Sequence, residues 1–235
     1  HQVFLPALME KMYEERSMYK KKMIECQKRQ QAGENLENEI AKYNNFQLVR
    51  KIQLNSAYGA IGNQYFRYFD VEMAEAITLS GQLSIRWIQR SLNRFLNKTV
   101  GTEDYDYVVA SDTDSVYLRL GNLVEKVCGS RSKSEVVEFL DKASEEIIVP
   151  FIEKEYNELA TMMNAYSNKM VMGREVIADK GIWTAKKRYM LNVHDSEGVR
   201  YTEPKLKIMG IETTRSSTPQ VVRGELKGMI DLIMN

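Results

Sequence analysis

The chain opens in a helical rhythm. From residue 6 to about residue 31 a highly charged stretch carries Leu8, Met9, Met12, Met18, Met23 and Cys26 at loosely helical intervals, which predicts a long, mostly exposed helix. The run Gln31-Ala32-Gly33-Glu34-Asn35 interrupts it, with Gly33 suited to a helix C-terminus, and a second helix is predicted over 36–62. The first 60 residues therefore read as a projecting, antiparallel two-helix hairpin. After the aromatic connector NQYFRYFD (63–70), Asp70 is a good N-cap, with Glu72 and Glu75 in the first turn. The helix it starts runs to about residue 97. Met73, Ala76, Ile77, Leu83, Trp87, Ile88, Leu92 and Phe95 keep a 3.6-residue beat, so one face is expected to lie against a sheet as core.

The period shortens over 107–120, YVVASDTDSVYLRL, where strand formers flank a polar SDTDS turn. Residues 120–134 read as loop. Residues 135 to about 166 read as an amphipathic helix through Val136, Val137, Leu140, Ala143, Ile147 and Phe151, kinked or split at Pro150. Strand patterning returns in KMVMGREVIAD, GIWTAKKRYMLNV and VRYTEPKLKIMGIE, with turns expected at Asp179-Lys180-Gly181 and Asp195-Ser196-Glu197-Gly198. Ser216-Ser217-Thr218-Pro219 then caps a last amphipathic helix. The order αα, α, ββ, α, βββ, α predicts an α+β fold with an antiparallel sheet and packed helices.

Composition narrows the class. At 235 residues the chain can bury a substantial core, as one large domain or two small ones. Cys26 and Cys128 lie far apart and supply neither a disulfide framework nor a zinc site, so a soluble protein of a reducing cytoplasm is expected. No apolar run approaches the roughly 18 residues of a membrane span, so no membrane partner is expected. The chain starts at His1 rather than Met and stops at Asn235 inside a helical pattern, the expectation for a piece of something larger. Net charge is +1, but it is segregated: residues 180–223 hold nine Lys/Arg against four Asp/Glu, and residues 134–159 hold eight Asp/Glu against two Lys. A local basic face survives the neutral total.

Two groups of residues carry candidate chemistry. Asp112 and Asp114 are two apart, so in extended backbone both carboxylates leave one face, and two like charges so close need a cation. Hard oxygen ligands of this kind suit Mg²⁺ or Mn²⁺, which keep part of their water and accept substrate phosphates. The competing reading is an Asp-rich turn bonded to its own backbone. On the second helix Lys51, Asn55 and Tyr58 fall within roughly 60° of one another as a polar stripe, leaving Ile52, Leu54 and Ile61 to pack. Arg16 and Lys20 stack four apart on the first. For both stripes the competing reading is an ordinary solvated face. With a basic strand pair, these features together point toward metal-assisted phosphoryl or nucleotidyl transfer.

The motifs resemble those of family B DNA polymerases, in the right order. The stretch around Asp112 and Asp114 is similar to the carboxylate motif of that family, KIQLNSAYGAIGN to its fingers-helix motif and KKRY (186–189) to its primer-template motif. EERSMYK, GREVI and EPKLKIMG extend the likeness over essentially the whole chain, toward the replicative polymerases of large tailed bacteriophages. The resemblance implies fingers over 1–63, most of a palm with its antiparallel sheet over 64–210, and the start of a thumb over 211–235. It implies a template-directed transfer of nucleotides from dNTPs to a primer 3′-OH in the cytoplasm of an infected bacterium. Asp114 would ligate the catalytic metals with Asp112 close behind, and Glu175 matches a palm acid near them. Arg16, Lys20, Lys51 and Asn55 would meet the incoming triphosphate as the hairpin closes, and Tyr58 would pack under the nascent base pair. Lys186, Lys187, Arg188 and Tyr189 would hold primer-template DNA, with Lys205 and Lys207 adding backbone contacts.

The resemblance also has a gap. A further metal-binding aspartate belongs to a motif resembling DxxSLYPS, and Asp70, Asp104 and Asp106, the aspartates before the SDTDS turn, sit in no such context. The exonuclease, amino-terminal and remaining palm regions are likewise expected as partners, in the same chain or a separate one. These 235 residues alone are therefore expected not to polymerise. The alternative is a non-catalytic DNA-binding or assembly subunit of a split polymerase. An unrelated Asp-x-Asp enzyme such as a sugar-nucleotide transferase would leave Lys51, Asn55, Tyr58 and KKRY unexplained.

Overall fold

The structure, a computed structural model, describes residues 3–234. His1, Gln2 and Asn235, on which the expectation of a truncated chain partly rests, lie outside the described residues. The chain divides into two compact units. One takes in the chain through Ser80 together with Gly198–Arg200, the other Gly81–Glu197 together with the chain from Tyr201 onward.

The first unit is built on α1 (Phe4–Gln31) and α2 (Glu37–Ile61). Glu15 pairs with Arg50 at 2.7 Å, Arg50 lies 4.6 Å from the ring centroid of Tyr19, and Tyr19 packs on Phe46 with centroids 5.1 Å apart. Four residues forward along α1 thus meet four residues back along α2, which makes the pair antiparallel. Gly33, at φ 104°, supplies the left-handed residue after α1 that the break predicted. Polar and aromatic side chains hold the pair rather than a continuous apolar seam. Only Cys26 is buried on α1 and only Ile61 on α2. The expected packing of Ile52 does not occur, since it is 56% exposed.

Asp70 caps α3 (Val71–Val100) as predicted, its Oδ1 accepting the Met73 amide at 2.9 Å. The expected core stripe is correct only for the later turns. Met73 and Ile77 are exposed, whereas Ile88, Leu92, Leu96 and Val100 are buried.

Those buried positions organise the second unit. Ile88 and Leu92 pack with Ile148, Ile152, Tyr156 and Leu159, and Leu96 and Val100 pack with Tyr107. Asn93 and Asn97 fasten the approach to the first strand: Asn93 Oδ1 accepts the Tyr107 amide at 2.9 Å, and Asn97 Nδ2 donates to the Tyr105 carbonyl at 2.8 Å. The antiparallel ribbon β1 (Val108–Asp112) and β2 (Ser115–Leu118) follows.

Residues 121–128 form the helix α4 (Gly121–Cys128), not the expected loop. Leu123 packs against the Leu96/Val100/Tyr107 cluster, and Lys126 donates to the Val100 carbonyl, contacts made far away in sequence. The long helix expected next is split, as Pro150 predicted. α5 (Lys133–Ala143) opens on a full capping box between Ser132 and Glu135 and passes through a π-helical turn, Ser144–Ile148, into α6 (Val149–Met162). A proline with no N–H to donate sits where the wider turn hands over to α6.

The three-stranded sheet is ordered β3 (Val176–Ala185), β4 (Arg188–Ser196), β5 (Val199–Met209), with β3 and β4 antiparallel. Its turns depart from expectation in one place. Asp179-Lys180-Gly181 does not reverse the chain but lies inside β3, where the register slips on either side of Ala178. The reversal comes at Lys186-Lys187, with Ala185 paired to Arg188. Residues 169–175 are irregular rather than strand. The turn at Glu197-Gly198 is as predicted, both residues at positive φ. A 3₁₀ turn, Glu212–Thr214, leads to α7 (Gln220–Met234), which lays Ile230 and Met234 against Met190. The fold is α+β with antiparallel strand pairing, and among the described residues no helix is long and apolar enough to cross a membrane.

Candidate functional site

The tip of the β1–β2 ribbon sets the positions of the two aspartates. Asp112 ends β1 and pairs with Ser115, so only Thr113 and Asp114 make the reversal. Thr113 takes φ 51°, and the Asp114 amide donates to the Asp112 carbonyl at 2.6 Å. The backbone between the aspartates is therefore a tight turn rather than extended strand, which corrects the argument that placed both carboxylates on one pleat face. The hydroxyls of Thr113 and Ser115 bond back to Asp112, at 3.0 Å to Oδ1 and 3.1 Å to the carbonyl. The Asp114 carboxylate is exposed and has no hydrogen bond or ion pair among the described residues. It stands at the rim of a cavity of about 1030 Å³ that Glu175 and Lys207 also line.

Lys187, in the β3–β4 turn, brings its Nζ to 3.8 Å from Asp112 Oδ1. An acidic tip and a basic tip thus meet. Lys186 beside it is exposed. Arg188 turns the other way, donating to the Gly210 carbonyl at 3.2 Å and pairing with Glu212. Tyr189 is buried with Leu191 and Val193. Glu175 pairs with Lys207 at 2.9 Å, and Lys205 Nζ lies 4.1 Å from the Tyr201 ring centroid.

Asp112, Asp114 and Glu175 are not drawn into one cluster. Among the described residues no three Asp, Glu, His or Cys side chains are grouped as a metal site. The donor chemistry nevertheless fits Mg²⁺ or Mn²⁺: oxygen ligands only, one carboxylate uncommitted, and open space beside it for water and phosphate oxygens.

In the helical unit Lys51, Asn55 and Tyr58 are all exposed on α2, one and two turns apart, as the stripe predicted. Arg16 is partly buried, and its Nε is shielded from water without a hydrogen-bond partner among the described residues. Lys20 is also partly buried.

Several residues behind the ribbon had no signal in the pattern. Tyr117 sits between Trp183 and Tyr189, with centroids 5.3 and 5.4 Å away. Burial, followed by the hydrogen bond with Tyr189, pushes its phenol up to about 12. Arg174, 9% exposed, pairs with Asp141 of α5 and with the fully buried Asp195 of β4, immediately before Glu175. Asp179 collects Lys133 and Asn192 at 2.9 Å and His194 at 3.3 Å. Burial raises the Asp179 carboxyl, but these donors outweigh it, and the net shift is downward. Alternation along strands would have shown which way these side chains face, not which of them meet across elements.

Comparison with known proteins agrees with the motif reading. The family model for DNA polymerase family B matches residues 1–147. The chain is 47% identical over 194 residues to the DNA-directed DNA polymerase of Escherichia phage RB69, covering 78% of this chain and 22% of that protein. It is 46% identical over 201 residues to the DNA-directed DNA polymerase of Enterobacteria phage T4, covering 81% and 22%. The chain spans about a fifth of the length of these relatives.

Proposed function

The chain belongs to DNA polymerase family B, and from that premise we propose that it is the part of a DNA-directed DNA polymerase that carries metal-ligating, nucleotide-binding and primer-holding residues. The observation that carries this reading is the approach of the Lys187 ammonium to the Asp112 carboxylate at the meeting of two hairpin tips, with the uncommitted carboxylate of Asp114 alongside. A cationic turn that neutralises primer phosphates belongs next to an acidic turn that holds metal.

In this reading Asp114, supported by Asp112, holds Mg²⁺ or Mn²⁺, which when bound supplies charge neutralisation and Lewis acidity at the phosphate. A further carboxylate from a DxxSLYPS-like motif, not found in these 235 residues, belongs to the same set, and without it the chain is not expected to extend primers. Glu175, paired with Lys207, lines the cavity as an acid close to that set. Thr113 and Ser115 fix the ribbon tip by bonding to Asp112, so the ligand geometry exists before substrate arrives. Lys186, Lys187, Lys205 and Lys207 are assigned to the DNA backbone, where cations position the duplex without reading sequence, while Arg188, expected among them, is engaged by Gly210 and Glu212 and serves the same turn from behind. Tyr189, buried behind the turn, acts from beneath it. Arg16, Lys20, Lys51 and Asn55 are assigned to the triphosphate of the incoming dNTP and Tyr58 to its base.

The test is Asp114→Asn in the complete polymerase. Primer extension is expected to fall by on the order of 10³-fold or more, as for loss of a metal-borne charge effect, while primer-template binding without dNTP changes less than about threefold. Extension within a few-fold of wild type would end the assignment.

A further inference from the structure

The Lys186-Lys187 turn is held in a conformation its own residues do not favour. Lys187 takes φ 62°, the left-handed region that Gly or Asn adopts readily and lysine does not. A turn of this kind persists when its surroundings over-determine it. Here they do so from one side. Gly210, at φ 66°, lies so close beneath the turn that a Cβ there would fall on the Lys187 carbonyl oxygen, with the Lys187 carbonyl carbon at 3.2 Å and Arg188 Cγ at 3.3 Å. Arg188 then ties the first residue of β4 to the same segment, donating its Nε–H to the Gly210 carbonyl at 3.2 Å and pairing its guanidinium with Glu212. The Glu212 carboxyl is held below its ordinary range, by its own backbone amide first and by Arg188 after that. The segment after β5 therefore acts as a saddle for the turn, and from that saddle the Lys187 ammonium reaches Asp112.

We propose that Gly210 and Glu212 are positioning residues that hold the Lys186-Lys187 turn beside the acidic ribbon, so that Lys187 is presented to the phosphate next to the primer end. The inference rests on the DNA-holding role proposed above for Lys187. It assigns the placement of that lysine to two residues outside KKRY that themselves touch neither DNA nor nucleotide. Glycine is required at 210 for space as well as for φ, because the clashing atoms belong to backbone and cannot swing aside. Glu212 contributes direction through Arg188 and adds less, since its pair with Arg188 is partly open to water.

The experiment measures primer-template affinity of the complete polymerase by fluorescence anisotropy, without dNTP, across a salt series. Variants are Lys187→Ala, Gly210→Ala and Glu212→Gln, alone and with each of the latter two placed in the Lys187→Ala background. Losing one phosphate contact lowers the slope of log Kd against log salt by about one. Lys187→Ala and Gly210→Ala are each expected to show that drop, with affinity reduced about tenfold. Glu212→Gln, which preserves shape and fold, is expected to weaken binding about threefold in the same direction. Neither is expected to add to Lys187→Ala. A Glu212→Gln or Gly210→Ala loss that adds fully to that of Lys187→Ala, or that leaves the salt slope unchanged, would overturn the positioning role. If Lys187→Ala itself changes neither affinity nor slope, the DNA-holding reading fails and the inference falls with it.

Discussion

Tyr117 links the acidic ribbon to the sheet behind it. Its ring fills the space between Trp183 and Tyr189, its hydroxyl bonds to Tyr189, and its backbone belongs to the strand that carries the acidic turn. Tyr117→Phe keeps the ring and loses the hydroxyl, which is expected to cost about 1 kcal/mol. Tyr117→Ala opens a cavity and is expected to cost about 3 kcal/mol. Urea unfolding separates the two. The phenol also fixes a pH dependence. Its folded value is raised from 10.0 to about 12, so its contribution is fully present below pH 10 and is lost as pH rises toward 12. The stability gap between wild type and Tyr117→Phe is expected to shrink across that window. At this scale the sequence was readable where chemistry is local. The SDTDS turn and the exposed stripe of Lys51, Asn55 and Tyr58 sit where turn chemistry and helix periodicity put them, but the common pleat face inferred for Asp112 and Asp114 is lost to the tightness of the turn. Arg174 and Glu212 were not readable, because each gains its meaning from a partner more than 20 residues away.

The two turns of the β3–β4 region teach the opposite lesson. Asp179-Lys180-Gly181 has the composition of a turn, yet the chain runs on through it. Asp179 is bonded across to Asn192, lies 3.3 Å from His194 Nε2 and pairs outward with Lys133 on α5, so its polarity is spent on neighbouring elements. Gly181 is small for packing, since a Cβ there would come within 2.8 Å of Leu191 and of the Trp183 ring. Lys186-Lys187, which has no turn signal, reverses the chain because Gly210 and Arg188 brace it. Gly181→Ala is therefore expected to behave as overpacking rather than as relief of a flexible turn. A loss of about 1–3 kcal/mol in thermal or urea unfolding is expected, where a true turn glycine at negative φ would be neutral or slightly stabilised by alanine. The helices were legible where they were long. α1, α2 and α3 announced themselves over many turns, while α4, at eight residues, offered too few periods to distinguish it from loop.

Across the second unit the largest buried charge network lies to one side of the apolar core. Apolar side chains from α3, α6 and the ribbon make the core, with Ser91 of α3 bonded to Glu155 of α6 at its side, while Arg174 bridges Asp141 and the wholly buried Asp195 at the joint between α5 and the sheet. Asp195 is wholly buried, so removing Arg174 takes a charge-assisted partner from a carboxylate that water does not reach. Arg174→Ala is expected to cost about 3–5 kcal/mol in unfolding free energy, more than typical surface changes, and urea midpoints at neutral pH measure it. Because Glu175 is the next residue, the same change is also expected to loosen its pairing with Lys207.

The ribbon has one property that pattern reading passes over. It has two strands, and β1 takes only β2 as a ladder partner among the described residues; at its start the Val108 amide is taken by the Asn93 and Asp106 side chains, and beyond that point no strand lies on its other side. Neighbouring strands in any sheet lie about 4.8 Å apart. A foreign segment zipped along that vacant flank would carry its own side chains to within a residue's width of Asp112. An oxygen ligand brought there by backbone pairing would leave the ladder between β1 and β2 as it is.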